Sequence, residues 1–276
     1  MLRKLLKYDT RAIGKFWWIA AVASVALAVL GGVCVNVLDV EYTSYTFMPA
    51  IATIGMMIVI MGFGAFSLIT MILIFVRFYK NFFSDEGYLT FTLPVKRSQL
   101  LKSKLISATG FVLLTDLCLV IDFIVMMAVA YPEEVFSIKL YRDIALFIKE
   151  LFHQFGPYTI IYALEILVGF VLVTVCSILA IYVCITFAAV IARRVKFLVA
   201  LGFYYAYSMV LSFMFEILIF DGSVFRIINW IGDLGADWGK LAFAVLFLGL
   251  VAIAALCCAA FYTLEGYLLR KRLNLD

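Results

Sequence analysis

Residues 157–192 read PYTIIYALEILVGFVLVTVCSILAIYVCITFAAVIA, with Glu165 as the only charged side chain. A helix needs about 20 consecutive apolar residues to cross the hydrocarbon core of a bilayer, and this run exceeds that length. It does not alternate apolar and polar residues, as a strand of a membrane barrel does. Inside lipid every backbone N–H and C=O has to be bonded within its own segment, so a helix is the expected form.

Working outward, comparable runs fall at about 16–38, 48–76, 105–131, 197–220 and 241–266, which makes six spans in all. The 276 residues are 66% hydrophobic and 14% charged. Soluble domains are about 45–50% apolar and about 25% charged, so the excess points to lipid as the solvent. The expected fold is all-α and integral to the membrane, with residues 1–276 forming one transmembrane domain. The second and fourth runs are longer than one crossing requires and are expected to tilt or to extend beyond the lipid.

Charge gives an orientation. With both termini on one side, 17 of the 22 Lys and Arg collect there, within 1–15, 77–104, 193–196 and 270–272. The other five, Lys139, Arg142, Lys149, Arg226 and Lys240, lie opposite. Short cytoplasmic segments carry the excess of Lys and Arg. The chain is therefore expected in the cell membrane as a multi-pass protein with both termini cytoplasmic. The net charge of +4 is small for a nucleic-acid binder, and no nucleic-acid partner is expected. The first apolar run outlasts the about 7–15 residues of a signal-peptide core, so it is expected to be retained as a span. Ahead of it, residues 1–15 set Leu2, Leu5, Leu6 and Ile13 against Arg3, Lys7, Arg11 and Lys15. This pattern predicts an amphipathic helix on the inner surface, with Trp17 and Trp18 at the interface.

On the other side, Leu140, Ile144, Phe147, Ile148, Leu151 and Phe155 recur at helical spacing within 132–156, a second amphipathic stretch. The last outer segment, DGSVFRIINWIGDLGADWG at 221–239, reads as a Gly- and Asp-punctuated loop whose apolar residues dip into the interface.

Most catalytic chemistry is excluded. There is no G-x-x-x-x-G-K-[ST] phosphate loop and no G-x-S-x-G elbow. The one histidine, His153, falls in an outer loop, which leaves no basis for a zinc site. No enzyme activity, cofactor or metal is expected in this chain. The six cysteines all lie within apolar runs without a C-x-x-C pair and read as small packing residues. Gly55 and Gly62 share one helix face, a site for close helix approach.

Among the acids within the spans, Asp116, Asp122, Glu165 and Glu216 stand out. A charge at mid-membrane costs at least about 2.5–3.5 kcal/mol, so such groups face other helices or water. Asp116, Asp122 and Glu165, together with Tyr204, Tyr205 and Tyr207 of span five, are candidates for an intramembrane polar path. Interhelical hydrogen bonding is the competing reading for the acids, and packing for the tyrosines.

Between spans two and three, about 77–104, the chain is far longer than a plain connection needs. Its apolar Tyr88, Leu89, Phe91 and Leu93 stand beside charges, which suggests a docking surface. The stretch DEGYLTFTLPVKRSQLLKSKL, 85–105, resembles the type 2 permeases of ATP-binding-cassette exporters, especially short bacterial ones. Their pattern is a Gly-Tyr-Leu segment, then Leu-Pro, a basic-Ser stretch and a Ser-Lys-Leu entry into the third span. LLKYDTRAIGKF, 5–16, is similar to their N-terminal surface helix.

The resemblance implies a coupling segment at about Ser84–Pro94 that docks on a separate ATPase subunit, with Asp85, Glu86, Gly87, Tyr88, Leu89 and Pro94 as its residues. It also implies a second permease chain, identical or similar, and ATP with Mg bound in the partner ATPase. The alternatives are a non-transporting polytopic membrane protein, such as an immunity or sensor component, and a secondary transporter using the buried acids.

Overall fold

A computed structural model describes residues 2–39, 47–83, 97–192 and 195–271. The described residues form helices and no strand. In chain order they are α1 (Leu2–Asp39), α2 (Phe47–Phe83), α3 (Arg97–Ala130), α4 (Pro132–Val135), α5 (Ile138–Phe155), α6 (Tyr158–Ile191), α7 (Lys196–Phe220), α8 (Ser223–Asp233) and α9 (Ala236–Lys271).

Six of these, α1, α2, α3, α6, α7 and α9, are long and apolar enough to cross a membrane. They carry large apolar side chains outward, such as Met61 at 75% and Leu256 at 70% exposure. That arrangement is stable only where hydrocarbon replaces water. Five of the six exceed 30 residues. At 1.5 Å per residue a helix of that length outreaches a hydrocarbon core of about 30 Å. Polar residues beyond the lipid still bond along the helix, so the helices run past their apolar runs. Residues 2–15 and span one illustrate this, forming a single uninterrupted helix, α1.

The chain divides into two units. The first is Met1–Phe78 with Lys102–Lys149, and the second is Tyr79–Leu101 with Glu150–Asp276. In the first unit, side-chain bonds between α1 and α3 join residues 94 to 98 positions apart, from Asp9–Ser103 to Asn36–Ala130. A near-constant separation means that the two helices run parallel. α2 runs against them, because Arg77 meets Asp9 near its C-terminal end and Gly55 meets Cys34 near its start. Ile13, Trp17, Ala21, Phe66 and Phe111 form the core of this bundle. A second cluster of Ala28, Val59 and Met126 lies further along it.

Glycines let these helices approach. A side chain added at Gly55 would meet Cys34, and one at Gly62 would meet Leu27, so both glycines face α1 as their shared face suggested. All six cysteines are free.

In the second unit α6 and α9 also run parallel, with bonds from Tyr162 to Lys240, Leu172 to Cys258 and Thr186 to Glu265. α7 packs on α6 after a short connection and sets Tyr207 against Phe261 of α9, with ring centroids 6.1 Å apart. Short connections join antiparallel neighbours.

The segment read as a loop at 221–239 contains a helix, α8, bounded by Gly222 (φ 67°) and Gly235 (φ 83°). Val224, Ile227, Ile228 and Ile231 recur at helical spacing there, and the punctuating glycines mark its ends rather than breaking it.

Candidate functional site

Two places gather chemistry-bearing side chains. The first is one end of the α1–α2–α3 bundle. Asp9 is the only acid in the first 38 residues, and α1 turns it inward to 3% exposure. Its Oδ2 accepts from Ser103 Oγ at 3.0 Å, and its Oδ1 accepts from Lys104 Nζ. Arg77 Nε lies 3.7 Å from Oδ1, with its guanidinium partly exposed. Lys104 and Ser103 are themselves buried. Removing a carboxylate or ammonium from water costs several kcal/mol unless it is paired and hydrogen-bonded. Here one carboxylate is shared by two cations and a hydroxyl. The cluster joins α1 to the stretches of α2 and α3 that flank residues 84–96.

Deeper in the same bundle, Trp17 Nε1 donates to Thr115 Oγ1 at 2.8 Å, and Thr115 lies 3.0 Å from Thr70 Oγ1. The indole rests against Phe66 and Phe111, with ring centroids 5.9 and 5.7 Å away. Trp17 therefore points into the bundle at 2% exposure, against the interfacial place expected for it, while Trp18 faces outward at 65%. The threonine hydroxyls, which bond back along their own helices to Phe66 and Phe111, draw the indole N–H inward. Trp17→Phe keeps a benzene ring but removes the donor together with the pyrrole part of the indole, so it is expected to lower stability in detergent by about 1–3 kcal/mol. Trp17→Ala should lower it by about 3–5 kcal/mol. Equal losses in thermal melts of the two variants would mean that the hydrogen bond dominates over ring packing.

The candidate polar-path residues are distributed as follows. Asp116 is half-buried, and Asp122 is fully buried with neither carboxylate oxygen hydrogen-bonded. Ser24 is the polar side chain that faces Asp122. Both acids belong to the first unit. In the second unit, Glu165 is buried near the start of α6, with Oε2 lacking a hydrogen bond. Tyr204 and Tyr207 are half-buried, and Tyr205 is exposed. These three lie toward the middle of α7, and Tyr207 faces Cys176 and Cys184 of α6, so Glu165 stands at least about three turns away from it along α6. Glu216 is exposed. The docking residues Asp85, Glu86, Gly87, Tyr88, Leu89 and Pro94 lie outside the described residues.

Sequence reasoning missed three participants. Asp9 stood out as a lone acid among five cations, and Lys104 pairs with it across the bundle. Glu265 is a fifth acid within a span. It is fully buried and accepts from Thr186 Oγ1 at 2.7 Å, and a lone acid inside CCAAFYTLEGYLL was its signal.

The second place is a cavity of about 560 Å³ in the second unit, where α6 and α9 begin. Tyr162 and Ile166 of α6, Phe155 of α5, Ile231 of α8, and Phe243 and Phe247 of α9 form its walls, with Lys240 alongside them. Tyr162 donates its hydroxyl to the Lys240 carbonyl at 2.7 Å.

Among the described residues no group of His, Cys, Asp and Glu is placed to hold a metal ion. Set against known protein families, curated proteins and solved structures, the chain matches none of them.

Proposed function

We propose that this chain is the membrane-spanning permease subunit of an ATP-binding-cassette exporter of the type 2 class. A separate ATPase subunit hydrolyses ATP with Mg, and this chain converts the resulting motion into substrate export. The observation that carries the reading is the Asp9 cluster. Residues 84–96 connect α2 and α3, and the flanking Arg77, Ser103 and Lys104 all meet one buried carboxylate on α1. A push on that segment enters three joined helices rather than a loose loop, as coupling requires.

In this reading both termini face the cytoplasm, residues 1–15 act as an amphipathic connecting helix, and Asp85–Leu89 with Pro94 dock on the ATPase. A second permease chain, identical or similar, completes the path. The buried Asp122 and Glu165 favour one other reading, a secondary transporter. The six spans run without a helix break among the described residues, whereas broken helices are typical of many such transporters.

Affinity purification of the tagged chain in mild detergent, with mass spectrometry of what remains bound, tests the proposal. An ATPase subunit should co-purify in stoichiometric amount. Leu89→Asp, which places a charge in the apolar docking surface, should reduce it at least about tenfold without loss of membrane insertion. Purification that repeatedly yields no ATPase, or one retained equally by Leu89→Asp, would overturn the docking assignment.

A further inference from the structure

The polar side chains among the described lining of the cavity, Lys240 and Tyr162, lie at one end of it. Lys240 and Tyr162 each lie one turn into their helices, at the end where α6 and α9 both begin. Ile166 lies one turn deeper on α6, and Phe243 and Phe247 lie about one and two turns deeper on α9. Seven residues from Lys240 to Phe247 rise about 10 Å along the helix. The apolar stretch of α9 begins at Trp238, which puts Lys240 at the level of lipid headgroups and the phenylalanines below them.

The chemistry of the lining is selective. The hydroxyl of Tyr162 donates its one proton to the Lys240 carbonyl, so it has none left to donate to a solute. Among the described residues of the lining Lys240 is the one charged, and its ammonium makes no ion pair with any other described residue. The wall is also well defined. A side chain added at Gly239 would approach the Ile231 carbonyl to 3.1 Å, so α8 lies close against the first turn of α9. The volume falls among small-molecule pockets, about 300–1,000 Å³, which is matched by one hydrocarbon chain better than by a whole two-chain lipid.

We propose that this cavity binds one single-chain anionic amphiphile, with its apolar chain between Ile166, Phe243 and Phe247 and its anionic head on the Lys240 ammonium. A charge at the rim above an apolar slot complements such a molecule. It does not complement a neutral hydrocarbon, which leaves the cation unmet, nor a polar solute, which leaves the rings unmet. The inference does not depend on what the protein transports.

The test uses the full chain in nanodiscs of zwitterionic phosphatidylcholine, titrated with dansyl-labelled undecanoic acid. Fluorescence should rise to saturation at one probe per chain. Lysophosphatidylglycerol should displace the probe at least about tenfold better than lysophosphatidylcholine. Lys240→Gln should weaken the anionic probe about tenfold, and Lys240→Arg should retain it. Ile166→Trp, which fills the slot, should abolish saturable binding while the thermal melt stays within a few degrees of the parent.

Three results would overturn the proposal. One is a linear, unsaturated rise that is the same in Ile166→Trp, which is partition into the bilayer. Another is equal affinity in Lys240→Gln. The last is efficient chain-to-chain disulfide cross-linking through Phe243→Cys, which would make the cavity a contact with a second copy.

Discussion

Asp9→Leu is expected to destabilise the α1–α2–α3 unit by about 3–5 kcal/mol, the usual consequence of removing one partner from a buried ion pair. The carboxylate shared by Ser103, Lys104 and Arg77 disappears, while the buried Lys104 ammonium keeps its desolvation cost. Unfolding in mild detergent reads the effect directly, and an Asp9→Leu protein melting with the parent would refute the account. The double variant Asp9→Leu, Lys104→Met separates charge from packing. Replacing a buried pair by apolar groups of similar volume is often neutral, so this protein should recover to within about 1 kcal/mol of the parent. On the proposed permease function, a cluster that transmits motion from residues 84–96 would leave the double variant folded and bound to the proposed ATPase but poor in transport. Full transport by the double variant would confine Asp9 to stability.

The second large effect is steric. A Cβ at Gly32 would stand 2.6 Å from the Met126 carbonyl oxygen and 2.6 Å from Val129 Cβ. The first obstacle is backbone, so no rotamer change relieves it and α1 must move away from α3. The Asn36 Nδ2 bond to the Ala130 carbonyl, 2.9 Å long and one turn further on, lies in the same seam. Gly32→Leu should therefore lower stability by about 3 kcal/mol or more, and Gly32→Ala by about 1–3 kcal/mol. Gly64→Ala is the control, because nothing lies within 4 Å of a Cβ there. It should be neutral, or stabilising by up to about 1 kcal/mol through lower backbone entropy of the unfolded chain. The same loss at Gly32 and Gly64 would mean that helix propensity, not contact, sets the cost.

These residues show where sequence reading stops. The unbroken run at 157–192 announces a helix, and α6 runs from Tyr158 to Ile191. Hydropathy locates lipid, though, and not helix ends. The apolar run of span two closes near 76, yet α2 continues to Phe83. At 221–239 the glycines suggested a loop, while the apolar spacing between them belonged to a helix. Trp17 and Trp18 look alike in sequence as an interfacial pair. Only the position of Thr115, 98 residues away, separates the buried one from the exposed one.

The sequence by itself determined that this is a helical membrane protein with six spans, because the need to bond every backbone group in lipid leaves a long apolar run no other form. It also presented four of the five acids inside the spans, since a charge in hydrocarbon is conspicuous, while Glu265 at the end of the last span passed unmarked. Which helices run parallel, which glycines meet a neighbour, that Asp9 meets Lys104 and that Tyr162 closes on Lys240 were decided by tertiary structure alone. Lipid is as apolar as a leucine side chain, so hydropathy cannot distinguish a helix face against lipid from one against protein. That distinction comes from close packing and hydrogen bonds between residues about 80 to 100 positions apart, which no local pattern records.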